Sequence, residues 1–213
     1  MNTGKYSKND ICAVIISFNP EKLLIDNIHA LLPQVAKCVV IDNGSEKTDI
    51  LNTAKEVNDI TVIELGENKG IAAALNVGLR YCDENAFRFI LTMDQDTILE
   101  GNAVEELLKP INEGRADSTG INWDKQARED AFVDYLITSG NLLNVDAAKK
   151  IEGFDEALFI DSVDFDICLR LRDKGYRLCK VAKANASHNL GEQNGSSKYR
   201  THSAFSECCI IKM

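Results

Sequence analysis

The sequence predicts an α/β fold built on a parallel sheet, and three observations predict it. Short apolar runs alternate with segments of helical period through the first half of the chain. The runs are apolar at consecutive positions, not at every second one, as strands buried on both faces require. They end in polar turns (Ser17, Phe18, Asn19; Asp42, Asn43; Asp94, Gln95, Asp96), which right-handed βαβ crossovers gather at one edge of the sheet. Open α/β sheets place their ligands at that edge.

Composition bounds the function. A chain of 213 residues with 45% hydrophobic content suits one compact unit with a substantial core. The net charge of -9 argues against a nucleic acid as partner, because Lys and Arg drive polyphosphate binding. A single nucleotide can still bind where a metal bridges it to carboxylates. No run reaches the roughly 18 apolar residues of a membrane span, and the first ten residues are polar, so a cytosolic chain is expected. The 7 cysteines show no C-x-x-C pairing and most lie in apolar segments. Reduced core residues are expected, and no zinc site.

Taken in order, Ile11 to Ile16 reads as a buried first strand feeding the Ser17, Phe18, Asn19 loop. Pro20 suits the first turn of the next helix, whose face of Leu23, Leu24, Asn27, Ile28 and Leu31 runs until Pro33. His29 lies beside that stripe as a surface histidine. Cys38 to Ile41 is the second strand, and Asn43 and Gly44 after it tolerate positive φ. A helix near residues 49–57 leads to a third strand, Ile60 to Leu65. After Asn68, Lys69 and Gly70, the spacing of Ile71, Ala74, Leu75, Gly78, Leu79 and Cys82 gives a helix that is thin on one side. Phe87 to Met93 is the fourth strand.

After a helix near residues 102–111 the pattern changes. Residues 112–130 are polar and read as irregular. Phe132 to Ile137 alternates as a strand, Leu142 and Leu143 form another apolar pair, and a short helix spans residues 146–151. A helix from about Asp161, capped by Asp161 or Ser162, closes at Lys174 and Gly175, and a strand follows over residues 176–181. Residues 193–200 read as a flexible loop and residues 204–213 as a short apolar end.

Two carboxylate groups carry chemistry. Asp94 and Asp96 end an apolar run, so they are either ligands of a hard divalent cation or residues of an ordinary turn. Asp164 shares a helical face with Ile167, Cys168 and Leu171, at the inner end of an apolar stripe where a carboxylate is costly to bury. Stabilisation by the helix N-terminus would account for it, and a general base facing a cleft accounts for it better. Asp166 needs only its i, i+4 partner Arg170.

These segments, with Ala73, Asn76 and Gly78, Ser139 and Gly140, and Gly153 to Glu156 through Asp164 to Arg170, resemble in order the motifs of family 2 glycosyltransferases of the GT-A fold. The form is that of bacterial rhamnosyltransferase-like members. The resemblance implies a Rossmann-like GT-A domain with a mixed, mostly parallel central sheet. Its nucleotide-binding half would span about residues 11–111, its acceptor and catalytic half about 112–213. It implies a UDP- or dTDP-linked sugar donor, Mg²⁺ or Mn²⁺ as cofactor, and a glycan or lipid-linked acceptor.

The resemblance also assigns roles. Ser17, Phe18, Asn19, Asp42, Asn43, Asn68, Gly70 and Asp94 would bind the nucleotide. Within that set Phe18 would stack on the base, Asp42 accept the N3 hydrogen of uracil or thymine, and Asp94 reach the ribose region. Asp96 would hold the metal, with His188 either completing its coordination or serving structure. Ser139 and Gly140 would shape the donor and acceptor pocket, and Asp164 would deprotonate the acceptor.

Val163 stands where many members carry Glu, and Cys208 and Cys209 stand where aromatic residues are expected. The chain ends earlier than full-length relatives usually do, and an acceptor-binding or membrane-proximal continuation is one expectation. The function expected is inverting, metal-dependent sugar transfer, rhamnose among the sugars, in cell-surface polysaccharide assembly, with peripheral association at the inner membrane face. The alternative is a catalytically inactive GT-A domain that binds a nucleotide sugar or a partner transferase. A nucleotidyltransferase is disfavoured, since no glycine-rich basic phosphate loop follows Ile16.

Overall fold

The structure, a computed structural model, describes residues 5–124 and 126–188. The expectations for residues 193–200 and 204–213, including Cys208 and Cys209, and for the side chain of His188 lie outside them. Strands and helices alternate at first: β1 (Ile11–Ser17), α1 (Leu23–Leu31), β2 (Lys37–Asp42), α2 (Asp49–Lys55), β3 (Ile60–Glu64), α3 (Ile71–Glu84) and β4 (Phe89–Asp94). Then come β5 (Thr97–Leu99), α4 (Ala103–Asn112), β6 (Ser118–Ile121), β7 (Ala131–Phe132), β8 (Asn141–Asn144), α5 (Val145–Lys150), α6 (Val163–Asp173), β9 (Leu178–Val181) and β10 (Ala186–His188).

Eight strands form one mixed sheet in the order β3-β2-β1-β4-β8-β6-β9-β7. The first four run parallel, and β8 joins β4 antiparallel with Thr92 opposite Asn141. Of the parallel strands, β1, β2 and β4 are buried on both faces, while β3 is the half-buried edge. Ile11, Ala13 and Ile15 of β1 face the layer of α1, α2 and α4, while Cys12 and Val14 face α3, α5 and α6. This is why the strands read as unbroken apolar runs instead of alternating. Helix α3 lies close on the sheet because residue 78 is glycine: a Cβ there would come within 2.4 Å of Val14 Cγ1.

The structure departs from expectation at several points. Residues 112–130 hold a central strand, β6, between β8 and β9. Its residues are mostly polar, and their buried hydroxyls are satisfied individually. Ser118 Oγ donates to Leu142 O and pairs with Asn141 Oδ1, and Thr119 Oγ1 donates to Leu107 O. Conversely, the alternating stretch from Phe132 to Ile137 keeps only Ala131–Phe132 as strand. Leu136 is drawn inward instead, its N–H donating to the sulfur of Cys168. Pro20 precedes α1, and Pro33 sits in a short 3₁₀ turn beyond it. A two-stranded ribbon, β5 with β10, was not anticipated. The five cysteines among the described residues are free and buried, as expected.

Candidate active site

Strand order fixes where a site can form. From β1 the chain moves outward to β2 and β3, then returns to the other side of β1 for β4. The loops after β1 and β4 therefore leave neighbouring strands at the carboxyl edge of the sheet, and the crevice beyond those strand ends is where open α/β sheets place ligands. Register carries the two strands in parallel up to Ile16 opposite Asp94, and Phe18 and Gln95 lie just past that end.

Three loops meet there and are tied by side chains. Ser17 O accepts the N–H of Asn43 at 2.7 Å. The N–H of Asn19, a residue at φ 47°, donates to Ser45 Oγ at 2.7 Å, and Asn19 Oδ1 accepts from Glu46 N and Lys47 N. Ser45 donates in turn to buried Asp42, its hydroxyl to Oδ1 and its N–H to Oδ2. Each carboxylate oxygen of Asp42 keeps a further lone pair. Asn43 reaches the turn before α3: its Nδ2 donates to Asn68 Oδ1 at 3.0 Å and its Oδ1 accepts Lys69 N at 2.9 Å. Gly70 N donates to the same Asn68 oxygen, so Asn68 and Gly70 join the cluster. Gly44 and Gly70 have φ of 84° and 87°. A Cβ on Gly44 would meet the Glu67 carbonyl carbon at 2.3 Å and one on Gly70 the Phe159 oxygen at 2.5 Å, so both positions need glycine.

Asp94, Gln95 and Asp96 are half-buried. Asp94 is held by its backbone, its carbonyl accepting from Asn27 Nδ2 at 2.9 Å and its N–H donating to Ser139 Oγ at 3.3 Å. Ser139 thus touches the Asp94 loop. Gly140, at φ 79°, passes its N–H to Thr92 O at 2.8 Å and leaves no room for a Cβ against Ile121. Asp96 stands between β4 and β5, and the ribbon sets His188 opposite Thr97, the residue after Asp96. The two candidate metal positions are thus brought together in the chain's register.

Among the described residues, no group of three or more His, Cys, Asp or Glu could cage a metal. A Mg²⁺ or Mn²⁺ ion that takes one or two carboxylates and completes its shell from a diphosphate and water does not need such a cage. Asp96, half-buried just past the end of β4, is a carboxylate of the kind that mode uses.

Asp164 lies in the first turn of α6. The chain reaches α6 over the start of α3, where Ile71 N donates to Phe159 O at 2.7 Å, so both helix starts share one side of the sheet. Asp164 is half-buried, and desolvation holds its carboxyl above the usual aspartate range although the N–H of Phe165 donates to Oδ1 at 2.9 Å. Beneath it, burial pushes the Cys168 thiol up to about 11, with Asp164 reinforcing the shift, so that sulfur is no nucleophile. The cap differs from expectation. Ser162 occupies the N-cap position at φ 67° and makes no side-chain capping bond. Asp166 pairs with Arg170 as expected, and His29 is exposed.

Sequence reasoning missed three supports. Gln95 joins the loops after β1 and β4, Asn27 anchors Asp94, and Asn76 clamps the Phe154 peptide, accepting from its N–H at 2.9 Å and donating to its carbonyl at 2.8 Å. Asn27 and Asn76 had a signal, since each is a polar residue on the buried side of an amphipathic helix. Gln95 had none beyond its place between two aspartates.

Comparison with known proteins agrees with this geometry. The family model described as glycosyl transferase family 2 matches residues 12–159. The chain is 27% identical over 214 residues to the dTDP-rhamnosyl transferase RfbF of Shigella flexneri, covering 87% of this chain and 71% of that protein. It is 31% identical to the hyaluronan synthase of Streptococcus pyogenes over 52% of this chain, which is 28% of the synthase. Among solved structures, GalNAc-T7 with UDP, GalNAc and Mn²⁺ superposes with a TM-score of 0.72 at 15% identity, over 84% of this chain and 43% of that one. TarS of S. aureus (residues 1–349) superposes with a TM-score of 0.64 at 19% identity, over 81% and 58%. The fold is GT-A. The chain belongs to glycosyl transferase family 2 and is a glycosyltransferase.

Proposed function

We propose that the enzyme transfers a sugar, rhamnose by analogy with the Shigella relative, from a UDP- or dTDP-sugar to a hydroxyl of a glycan or lipid-linked acceptor, inverting the anomeric centre. The setting proposed is cell-surface polysaccharide synthesis, in the cytoplasm at the inner membrane face. No helix among the described residues is long and apolar enough to cross a membrane. The observation that carries the reading is a division of labour. A tied cluster of loops sits at the carboxyl edge of the central strands, and a carboxylate in the first turn of α6 is held less acidic than usual by burial.

Phe18 would stack on the base, and Asp42 would accept the N3–H of uracil or thymine, a donor that cytosine lacks. Asp94 would face the ribose, and the Asn43, Asn68, Gly70 turn would close the cradle. Asp96, with His188, would hold the divalent cation, which when bound neutralises charge growing on the diphosphate. Asp164 takes the proton of the acceptor hydroxyl as that oxygen bonds to the anomeric carbon. The bond from that carbon to the diphosphate oxygen breaks on the opposite face, its electron pair leaving with the nucleotide. Desolvation suits Asp164 to this task, because a base with a raised pKa holds the proton better.

A thermal-shift screen of UDP, dTDP and their sugars with and without Mn²⁺, followed by transfer assays, tests the reading. Metal-dependent stabilisation by one nucleotide is expected. Stabilisation by none would overturn the donor assignment, and binding without turnover on any acceptor would reduce the domain to a binding module.

A further inference from the structure

We infer that Gln95 is a positioning residue for the donor's base, acting through the peptide of Phe18. The inference rests on the reading of Phe18 as the residue that stacks on that base. Past Ile16 and Asp94 the two central strands separate, and backbone ladder bonds between them end. Gln95 extends the ladder with its side chain. Phe18 N–H donates to Gln95 Oε1 at 2.9 Å, and Gln95 Nε2 donates back to the Phe18 carbonyl at 3.3 Å. The amide thereby takes the place of a neighbouring strand's peptide, bridging the crevice where the ligand is expected.

The chemistry restricts what could stand at 95. A primary amide presents one acceptor and one donor side by side, as a peptide does. Glu offers no donor, Lys no acceptor, and Asn is one methylene short. The clamp is also anchored. Residue 94 is fixed through its backbone by Asn27 and Ser139, and on the far side of Phe18 the N–H of Asn19 is held by Ser45. Phe18 itself is only half-buried, so its ring stands on a backbone pinned from both sides. A ring already in place loses less freedom when a base stacks on it. Gln95 thus links the base end of the site to the carboxylate end by its side chain, while its own backbone separates Asp94 from Asp96.

The test is calorimetric titration of UDP and dTDP, each with and without Mn²⁺, into the wild type, Gln95→Met and Gln95→Asn. Met keeps the length and removes both bonds, while Asn keeps the amide and shortens it. For both variants Kd should rise roughly tenfold, about what two neutral hydrogen bonds contribute. The factor should be the same with and without Mn²⁺. In a Phe18→Ala background, Gln95→Met should cost no further affinity, because the ring it positions is gone. Unchanged affinity, a loss seen only with Mn²⁺, or an undiminished loss in the Phe18→Ala background would each overturn the inference. If the wild type binds neither nucleotide, the donor reading itself fails, which is a separate result.

Discussion

The two halves of this sheet are built to different rules. On the side of β1 to β4 the loops at the carboxyl ends are tied to one another by side-chain amides and hydroxyls: Gln95 to Phe18, Asn19 and Asp42 to Ser45, Asn43 to Asn68. On the side of β6 to β9 the surface carries bare rings. Phe165 is half-exposed and leans on Tyr135 at 4.6 Å between centroids, and Phe132 on the edge strand is 63% exposed. The first arrangement fixes a shape before any ligand arrives, as the proposed donor site requires. On the proposed reading, the second leaves an exposed ring beside Asp164, on a surface free to vary from one acceptor to another.

That contrast can be broken by substitution. The largest effect expected is from Asp164→Asn, which should lower transfer by roughly 10² to 10⁴ while leaving the calorimetric Kd for UDP or dTDP within about twofold. A parallel loss of donor affinity would show that the halves are not separable. Next, Asp96→Ala should abolish the extra thermal stabilisation that Mn²⁺ adds to a nucleotide, an effect of about 2.7 kcal/mol at a hundredfold excess over Kd. Gly44→Ala should destabilise by about 1–3 kcal/mol in urea and weaken nucleotide binding, because both its φ and its packing against the Glu67 backbone forbid a side chain. Gly175→Ala, also at positive φ but with open space around it, should cost about 1 kcal/mol and leave binding alone. Smaller still, Phe165→Ala should raise the acceptor KM several-fold with donor KM unchanged.

The smallest effect concerns pH. Burial raises the folded-state pKa of Asp164 above its unfolded value, so the carboxyl favours the fold while protonated and that contribution is lost as pH rises through the raised value. Asp164→Asn should therefore melt slightly higher than wild type at neutral pH, with the difference vanishing below about pH 4, the ordinary aspartate range. Transfer by the wild type should fall as pH drops through that same raised pKa.

What the sequence disclosed follows the same division. Parallel strands buried on both faces must be apolar throughout, and their turns must be polar, so β1, β2 and β4 and the convergence of their loops were legible. Strand β6 was not, because Ser118 and Thr119 enter the core with their hydroxyls paired to groups distant in sequence. Composition cannot report a bond to Leu142 or Leu107. The run from Val133 to Ile137 failed in the opposite sense, since an alternating pattern promises a sheet face and a single thiol on α6 claimed the chain. Among the candidate site residues, Asp94, Asp96 and Asp164 were singled out by their own carboxylates. Gln95 could not, because its importance depends on which strand lies beside β4.

The β5–β10 ribbon has a consequence for how the enzyme is made. The strands at the crevice, β1 to β4, are complete soon after Asp96 leaves the ribosome, and they pair with one another. The strand that sets His188 against Thr97 is the last of the described chain to be synthesised. The ribbon therefore cannot form until β10 has emerged. A nascent chain would thus acquire its crevice before the neighbourhood of Asp96 is finished, and hydrogen exchange at Ile98 and Glu100, the positions in hydrogen-bonded register with the β10 segment, would time that last step.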